Sequence, residues 1–408
     1  MIRVAILILA ISTLISSTGL CKDYSIEELL DVAAQNSANI RSAEYLAKSQ
    51  KHLANQQKYW NNPSVEFGKI GGQETYGINQ SIPFYNKLQN KYDIEDAQYR
   101  ALDVRRENLA LFVKADLFSL LYQYQGLKKK IELTKKRLNR LSLVDKYLTT
   151  IVLSSPTKKA QSRITKDRIN LVERDLIKLQ NKLYQTWNAA NVYLNLESEP
   201  NEIIDFQWLS DKNYQGKKFL INAALENNLQ LKEQKILISK AKSELSYAKI
   251  EQMPDINISA TRQAGSSASG ISNGNSSNGI GLSLSLPLIN RNQEKIVSSE
   301  SQIKSQEATL EFERNQLIQL ISNDISQYET SLKLTKNFPI TQIDKTIDRL
   351  STANSDFKKG VLDFITYIEL DSQEYQIIDT IIDTQIDLAS SYSSLMTKVG
   401  SFTIPSQK

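Results

Sequence analysis

Cys21 is the only cysteine in 408 residues, so no intrachain disulfide can form even in an oxidising compartment. The only histidine is His52, which excludes a histidine-based catalytic triad and a multi-histidine zinc site. Beyond the initiator, methionine occurs only at Met253 and Met396, too few to line a path with soft ligands for copper or silver. With 14 glycines and 8 prolines, collagen-like and broadly disordered classes are excluded. The glycine-rich stretch "GSSASGISNGNSSNG" lacks the strand-to-helix context and the lysine of a phosphate loop and reads as a surface loop. No run of 18 or more apolar residues follows the first 21 positions, so no later helix is built to cross a membrane. A mature chain that enters a membrane must do so as strands. No constellation of side chains supports an enzyme, and no cofactor site is recognisable.

The N-terminus, "MIRVAILILAISTLISSTGLC", has Arg3, an apolar run from Val4 to Ile15 and then small and polar residues, the layout of a secretory signal peptide over residues 1–21. Leu20 stands where a lipoprotein signal needs a small residue, which disfavours lipidation at Cys21. Cleavage after Cys21 leaves no cysteine. Loss of Arg3 takes the charge balance from 50 against 45 to 49 against 45, too diffuse to argue for nucleic acid.

Two distant segments follow one script. Gly77, Ser81, Pro83, Asn86, Gln89 and Lys91 recur 204 positions later as Gly281, Ser285, Pro287, Asn290, Gln293 and Lys295. Upstream, Ala33, Asn36, Ile40, Leu46 and Pro63 recur 191 positions later as Ala224, Asn227, Leu231, Leu237 and Pro254. Each copy reads helix, proline, strand, loop, strand, proline, long helix. The expected units are a first repeat over 22–199, a connector over 200–222, a second repeat over 223–400 and a tail over 401–408. Strand pairs are expected at 63–82 and 254–286, because apolar residues there alternate with small or polar ones. Helical hairpins follow at 87–196 and 288–400. From Lys87 to about Thr150 there is no proline and one glycine, Gly126, which allows a rod of roughly 95 Å. Apolar residues at spacings of 3 and 4 with charged flanks predict coiled-coil packing. Ser155 and Pro156 mark the first hairpin tip and Gly360 the second, and Pro339 predicts a kink or break in the second outgoing arm.

If the strands lie in lipid, every backbone polar group must be paired within the sheet, and four strands cannot close a barrel. The chain must then oligomerise; two chains give eight strands and three give twelve, and only the larger ring leaves a wide aqueous lumen. Leu282, Leu284 and Leu286 then face lipid while Ser283 and Ser285 face water. Pro83 and Pro287 end the strands and start the rods, and Trp60, Phe84 and Tyr85 lie where an aromatic girdle belongs. A soluble β-sandwich is the alternative, but four short strands on two long hairpins make a poor one.

The duplicated strand pair, the junction "GLSLSLPL", the run "ENNLQLKEQKILISKAKSELSYAKIEQMPDI" and the second tip "FKKGVLDFITYIELDSQ" together resemble the TolC-type outer-membrane efflux proteins, over nearly the whole mature sequence. The proline in "NFPITQI" is similar to the heavy-metal-efflux, CzcC-like branch. The resemblance implies an α+β membrane protein, internally duplicated, with four transmembrane β-strands per chain. A homotrimer then forms a 12-stranded barrel in the outer membrane of a Gram-negative bacterium, continuous with an α-helical barrel in the periplasm. It implies as partners a periplasmic adaptor (membrane fusion) protein, an inner-membrane pump of the resistance-nodulation-division (RND) class and outer-membrane lipid. The function implied is a passive exit duct for drugs or metal ions, with no reaction catalysed. An exit duct of type I protein secretion shares this fold, and a secreted coiled-coil structural or adhesive protein without a pore is the rival of another class. The family's two gate aspartates fall on Thr366 and Glu369, of which only Glu369 keeps a carboxylate, and Asp363 lies about one turn earlier. Three such carboxylates around a narrow pore would favour cations.

Overall fold

The computed structural model describes residues 23–70, 73–151, 155–197, 203, 204, 206–209, 216–265 and 276–403. The expected signal segment, much of the connector and most of the glycine-rich loop lie outside the described residues.

Two short helices, α1 (Ile26–Asn36) and α2 (Ala38–Gln56), precede a hairpin of β1 (Ser64–Ile70) and β2 (Gln73–Ile82). Ser25 starts α1 through a capping box with Glu28, each side chain accepting from the other's backbone N–H. The hairpin feeds α3 (Lys87–Ile151), 65 residues and therefore about 97 Å long, and α4 (Pro156–Leu194) returns beside it. Pro156 is the first helical residue of α4, where its missing N–H and fixed φ cost nothing.

The second copy repeats the order with α5 (Lys217–Asn227), α6 (Leu229–Glu251), β3 (Ile256–Gly265) and β4 (Ser277–Leu284). Its outgoing arm is divided into α7 (Gln293–Asn337) and α8 (Gln342–Lys358), the break falling at Pro339. Gly360 turns the chain with φ +76°, Asp363 caps the next helix, and α9 (Phe364–Val399) returns.

The four strands form one antiparallel sheet in the order β1-β2-β3-β4, with both outer edges, β1 and β4, unpaired. Around the rods, α3 packs on α2, α4, α6 and α9, while α7 packs on α6 and α9. The first copy is thereby joined to the second within the chain, through β2 with β3 and α3 with α6. The main core lies where both rods meet the short helices, around Leu29, Phe118, Leu121, Tyr122, Ile321, Tyr392 and Leu395. Phe206 and Trp208 of the connector stack on Tyr122, whose hydroxyl donates to the Gln207 carbonyl at 2.7 Å. Two smaller cores run along the hairpins toward the tips.

The internal symmetry is not carried through as the sequence offsets predict. From Pro83 to the first helical residue is four positions, but from Pro287 it is six, because residues 285–292 stay non-helical. Asn86 turns the chain into α3 in the left-handed region (φ 64°), and in the second copy Asn292 (φ 55°), not Asn290, does so. "LINRN" therefore belongs to a linker, and the rod starts at Gln293. The ladder of β4 ends at Leu284, short of Pro287, because its partner β3 begins only at Ile256. Leu286 thus lies beyond the strand in which its alternation places it.

Candidate functional site

Register fixes the two faces of the sheet. Val65 pairs with Ile78, which pairs with Ala260, which pairs with Ile280; the rows below bring in Ile258 with Leu282, where Gln80 of β2 is the one polar member, and Ile82 with Ile256 and Leu284. Phe67 pairs with Tyr76 above, their rings edge to face at 5.9 Å. This face is apolar and bare: Ile280 is 89% exposed and Leu282 and Phe67 each 75%. Leu284 and, past the ladder, Leu286, Leu288 and Ile289 are exposed too, as are Trp60, Phe84 and Tyr85 at the helix-proximal end. An exposed apolar surface of this extent marks a surface made to be covered, by a partner or by a membrane. On the other face stand Ser64, Glu66, Gly68, Thr75, Gly77, Asn79, Ser81, Asn257, Ser259, Thr261, Gly279, Gly281 and Ser283, set by the same pairing. Glu66 is the one carboxylate of that face among the described strands, and it accepts from Asn79 Nδ2 at 2.7 Å.

At the strand-to-rod junction, Lys87 is buried at the start of α3 and its ammonium donates to Asp255 at 2.8 Å and to the Met253 carbonyl. The Phe84 N–H, next to Pro83, donates to Asp255 at 3.0 Å. Burial acts to raise the Asp255 carboxyl, but Lys87 and this N–H outweigh it and hold the group below its ordinary value. The ion pair ties the start of the first rod to the residue before the second copy's strand β3. A crevice of about 760 Å³ opens beside it, lined by Lys87, Asp255, Leu286, Pro287 and Leu288 among others.

At the other end of the rods, Ser155 and Pro156 form one tip and Gly360 the other, where Val361 and Ile365 are 77% and 65% exposed. Asp363 does not project from a helix face. It is the N-cap of α9, accepting from the N–H and the hydroxyl of Thr366, and these donors hold its carboxyl below the usual range. Thr366 is thus engaged with Asp363, whereas Glu369 is exposed and accepts only from Gln373, at 2.8 Å.

Beyond its first turn, α9 has one narrow exposed stripe, made of Glu369, Gln373, Gln376, Asp379, Asp383, Asp387, Ser390 and Ser394. The stripe carries four carboxylates and no cation of its own; Lys130 reaches it from α3, 2.8 Å from Asp383 and 3.5 Å from Asp379. Desolvation pushes the carboxyls of Asp379 and Asp387 up, and the neighbouring Asp383 adds to it.

Behind the stripe, Asp371 is 1% exposed and held by Arg137 at 2.8 Å and Arg140 at 2.6 Å, both from α3. The two guanidinium groups also lie 4.4 and 5.2 Å from the centre of the Tyr375 ring. Arg349 of α8 grips Glu374 in a two-pronged pair. Sequence reasoning missed Arg137, Arg140 and Asp371. The available signal was Asp371 itself, a carboxylate on the apolar stripe of Phe364, Tyr367, Ile368, Tyr375 and Ile378.

An apolar-sided sheet of four strands carried on two long helical hairpins defines the fold. The profile of the outer membrane efflux protein family matches residues 220–346, from α5 into α8. Among solved structures it is similar to CusC (15% identity, 93% of each chain covered, TM-score 0.74). The MtrE outer membrane channel of Neisseria gonorrhoeae gives 14% identity over 93% of this chain and 90% of that one, TM-score 0.74. VceC of Vibrio cholerae gives 14% identity over 92% and 96%, TM-score 0.66. At these identities the likeness is one of fold, and it bears out the expected architecture of strands joined to helical hairpins. No curated protein sequence matches the chain.

Proposed function

We propose that three copies of this chain close into a 12-stranded barrel continuous with a helical tunnel, and that the assembly is the outer-membrane exit duct of a tripartite efflux system. The observation that carries it is the open sheet, with one exposed apolar face, one polar face and two unpaired edges. In lipid those edges must find partners, and β1 of one copy beside β4 of the next supplies them without new sequence. The outer face of α4 supports the same assembly, because Ile164, Leu171, Ile177 and Tyr184 lie exposed along it at close to heptad spacing.

The duct conducts drugs or metal ions delivered by an inner-membrane pump of the RND class through a periplasmic adaptor docked at the tips, and it catalyses no reaction. Glu369 is its periplasmic gate carboxylate; Asp363 serves the gate by capping α9 and fixing Thr366. Purified protein incorporated into planar bilayers should give discrete cation-preferring channels, and Glu369→Ala should widen conductance or weaken that preference. Absence of conductance from membrane-extracted oligomers would sink the channel, and an unchanged Glu369→Ala pore would remove Glu369 from the gate. Deleting the gene and testing sensitivity to metals, dyes and antibiotics separates solute efflux from protein secretion.

A further inference from the structure

The apolar face of the sheet ends abruptly at its loop-side margin. One row beyond Ile78, Ala260 and Ile280, Arg262 sits between Tyr76 and Asn278; Lys69 and Glu74 form the next row out. From Asn278 down to Leu284, where the ladder ends, is six positions, about 20 Å along a strand and about 16 Å along the membrane normal at the tilt of such barrels, and the exposed Leu286, Leu288 and Ile289 carry the apolar surface further toward the rods. An apolar band of this class of barrel is about 25 Å tall, so Arg262 and Lys69 stand at its outer boundary, level with lipid headgroups. Orientation follows from the channel reading, on which this inference rests: rods on the periplasmic side, hairpin turns outside.

Both cations are exposed, and neither makes an ion pair or a side-chain hydrogen bond among the described residues. Glu74 is the only carboxylate on this face of the described strands, and it accepts from the Tyr76 hydroxyl at 2.8 Å. A closed ring would therefore carry six cations against three carboxylates at headgroup height. Tolerance alone does not account for them, since uncharged polar residues would do as well at that depth.

We infer that Arg262 and Lys69 form a binding surface on the outside of the barrel for lipids of the outer leaflet that bear phosphate groups. The guanidinium fork of Arg262 matches phosphate oxygens two at a time, and Lys69 adds a point charge one row further out. Phe67 and Tyr76, stacked edge to face beside Arg262, supply an apolar floor for the top of the acyl chains.

The test uses the full-length trimer in phosphatidylcholine vesicles, with and without diphosphorylated lipid A, and compares wild type with the Lys69→Gln/Arg262→Gln double variant. Wild type should retain lipid A in native mass spectrometry and unfold at a higher temperature in the doped vesicles. The double variant should bind it on the order of thirty-fold more weakly, two surface cations each contributing about fivefold toward an anionic lipid. The charge-preserving Lys69→Arg/Arg262→Lys variant should keep the effect, which separates lost charge from lost folding. Undiminished lipid A binding by the double variant overturns the inference, as does an equal stabilisation by inorganic phosphate in undoped vesicles. Failure of the channel reading would show differently, as absent conductance in every vesicle.

Discussion

The two helical hairpins follow the same order of elements, and they are built differently. The first, α3 with α4, has an outgoing arm of 65 residues without a proline, closed by a proline at the first position of its return. The second is cut by Pro339 into α7 and α8, and its return helix α9 is buried on nearly every side, leaving one polar stripe. Its buried faces are held to the first hairpin by charge as well as by apolar packing. An unbroken rod transmits position, whereas a segmented hairpin pinned through specific ion pairs has places at which it can be released. The second hairpin is thus the segmented, pinned arm and the first the unbroken frame.

The comparison breaks most sharply at Asp371. Replacing it with alanine leaves Arg137 and Arg140 facing each other without a counter-charge, and removing one partner of a buried pair costs about 3–5 kcal/mol. Thermal unfolding of the purified oligomer should fall accordingly, and replacing all three residues with leucine or methionine should recover much of the loss. A triple variant no more stable than Asp371→Ala would contradict the buried-pair account.

Next comes the anchor of the second hairpin. Gly400 caps α9 at φ +83°, and a Cβ there would lie 2.4 Å from the Asn227 carbonyl oxygen. Gly400→Ala should destabilise by roughly 2–3 kcal/mol, combining backbone strain with overpacking. In the first hairpin, a Cβ at Gly126 would lie 2.6 and 2.9 Å from Cδ1 and Cγ1 of Ile386 and 3.2 Å from Cγ2 of Ile382, side chain rather than backbone, and helix propensity partly offsets the clash. Gly126→Ala should therefore cost only about 1 kcal/mol by the same melting assay. Equal losses at both sites would erase the distinction between anchor and frame.

The seam between copies supplies a sharper geometric test. Gly68→Cys combined with Ser283→Cys or Ser285→Cys, in a Cys21-free background, should oxidise into dimers and trimers on denaturing gels. Gly68→Cys with Leu284→Cys, on opposite faces, should not. Crosslinks that ignore face would mean that β1 and β4 do not meet as strands.

The smallest effect is set by pH. The Asp363 carboxyl is depressed in the folded state, so its contribution is full above its unfolded value and is lost as pH falls through the folded one. Asp379 and Asp387 are raised, so they favour the folded state at low pH and their contribution is lost as pH rises through their folded values. Asp363→Asn should lower the melting temperature slightly at neutral pH and not below about pH 3, whereas Asp379→Asn/Asp387→Asn should raise it slightly at neutral pH. Reversed signs would mean that the cap and the stripe have been assigned the wrong way round.

Much of this was legible in the residues. Alternation at Ile280, Leu282 and Leu284 fixed which side of the strand is apolar, since a period of two leaves no choice of face. The 3 and 4 spacing along α3 and α9 set rod length, and Pro339, Gly360 and Pro156 marked where the rods stop. Repetition of the whole script set the order of elements in each copy. Periodicity carries such information because it depends on a residue and its near neighbours alone.

Other features depend on what lies across a gap in sequence, and only the tertiary structure decided them. The second rod starts at Gln293 because Asn292, not Asn290, reverses the backbone. Asp363 is a cap because the α9 backbone begins one residue later. Asp371 is buried and paired because α3 brings Arg137 and Arg140 against it from more than 230 positions away. A carboxylate's role is set by what surrounds it, and those surroundings are assembled by packing between the two copies.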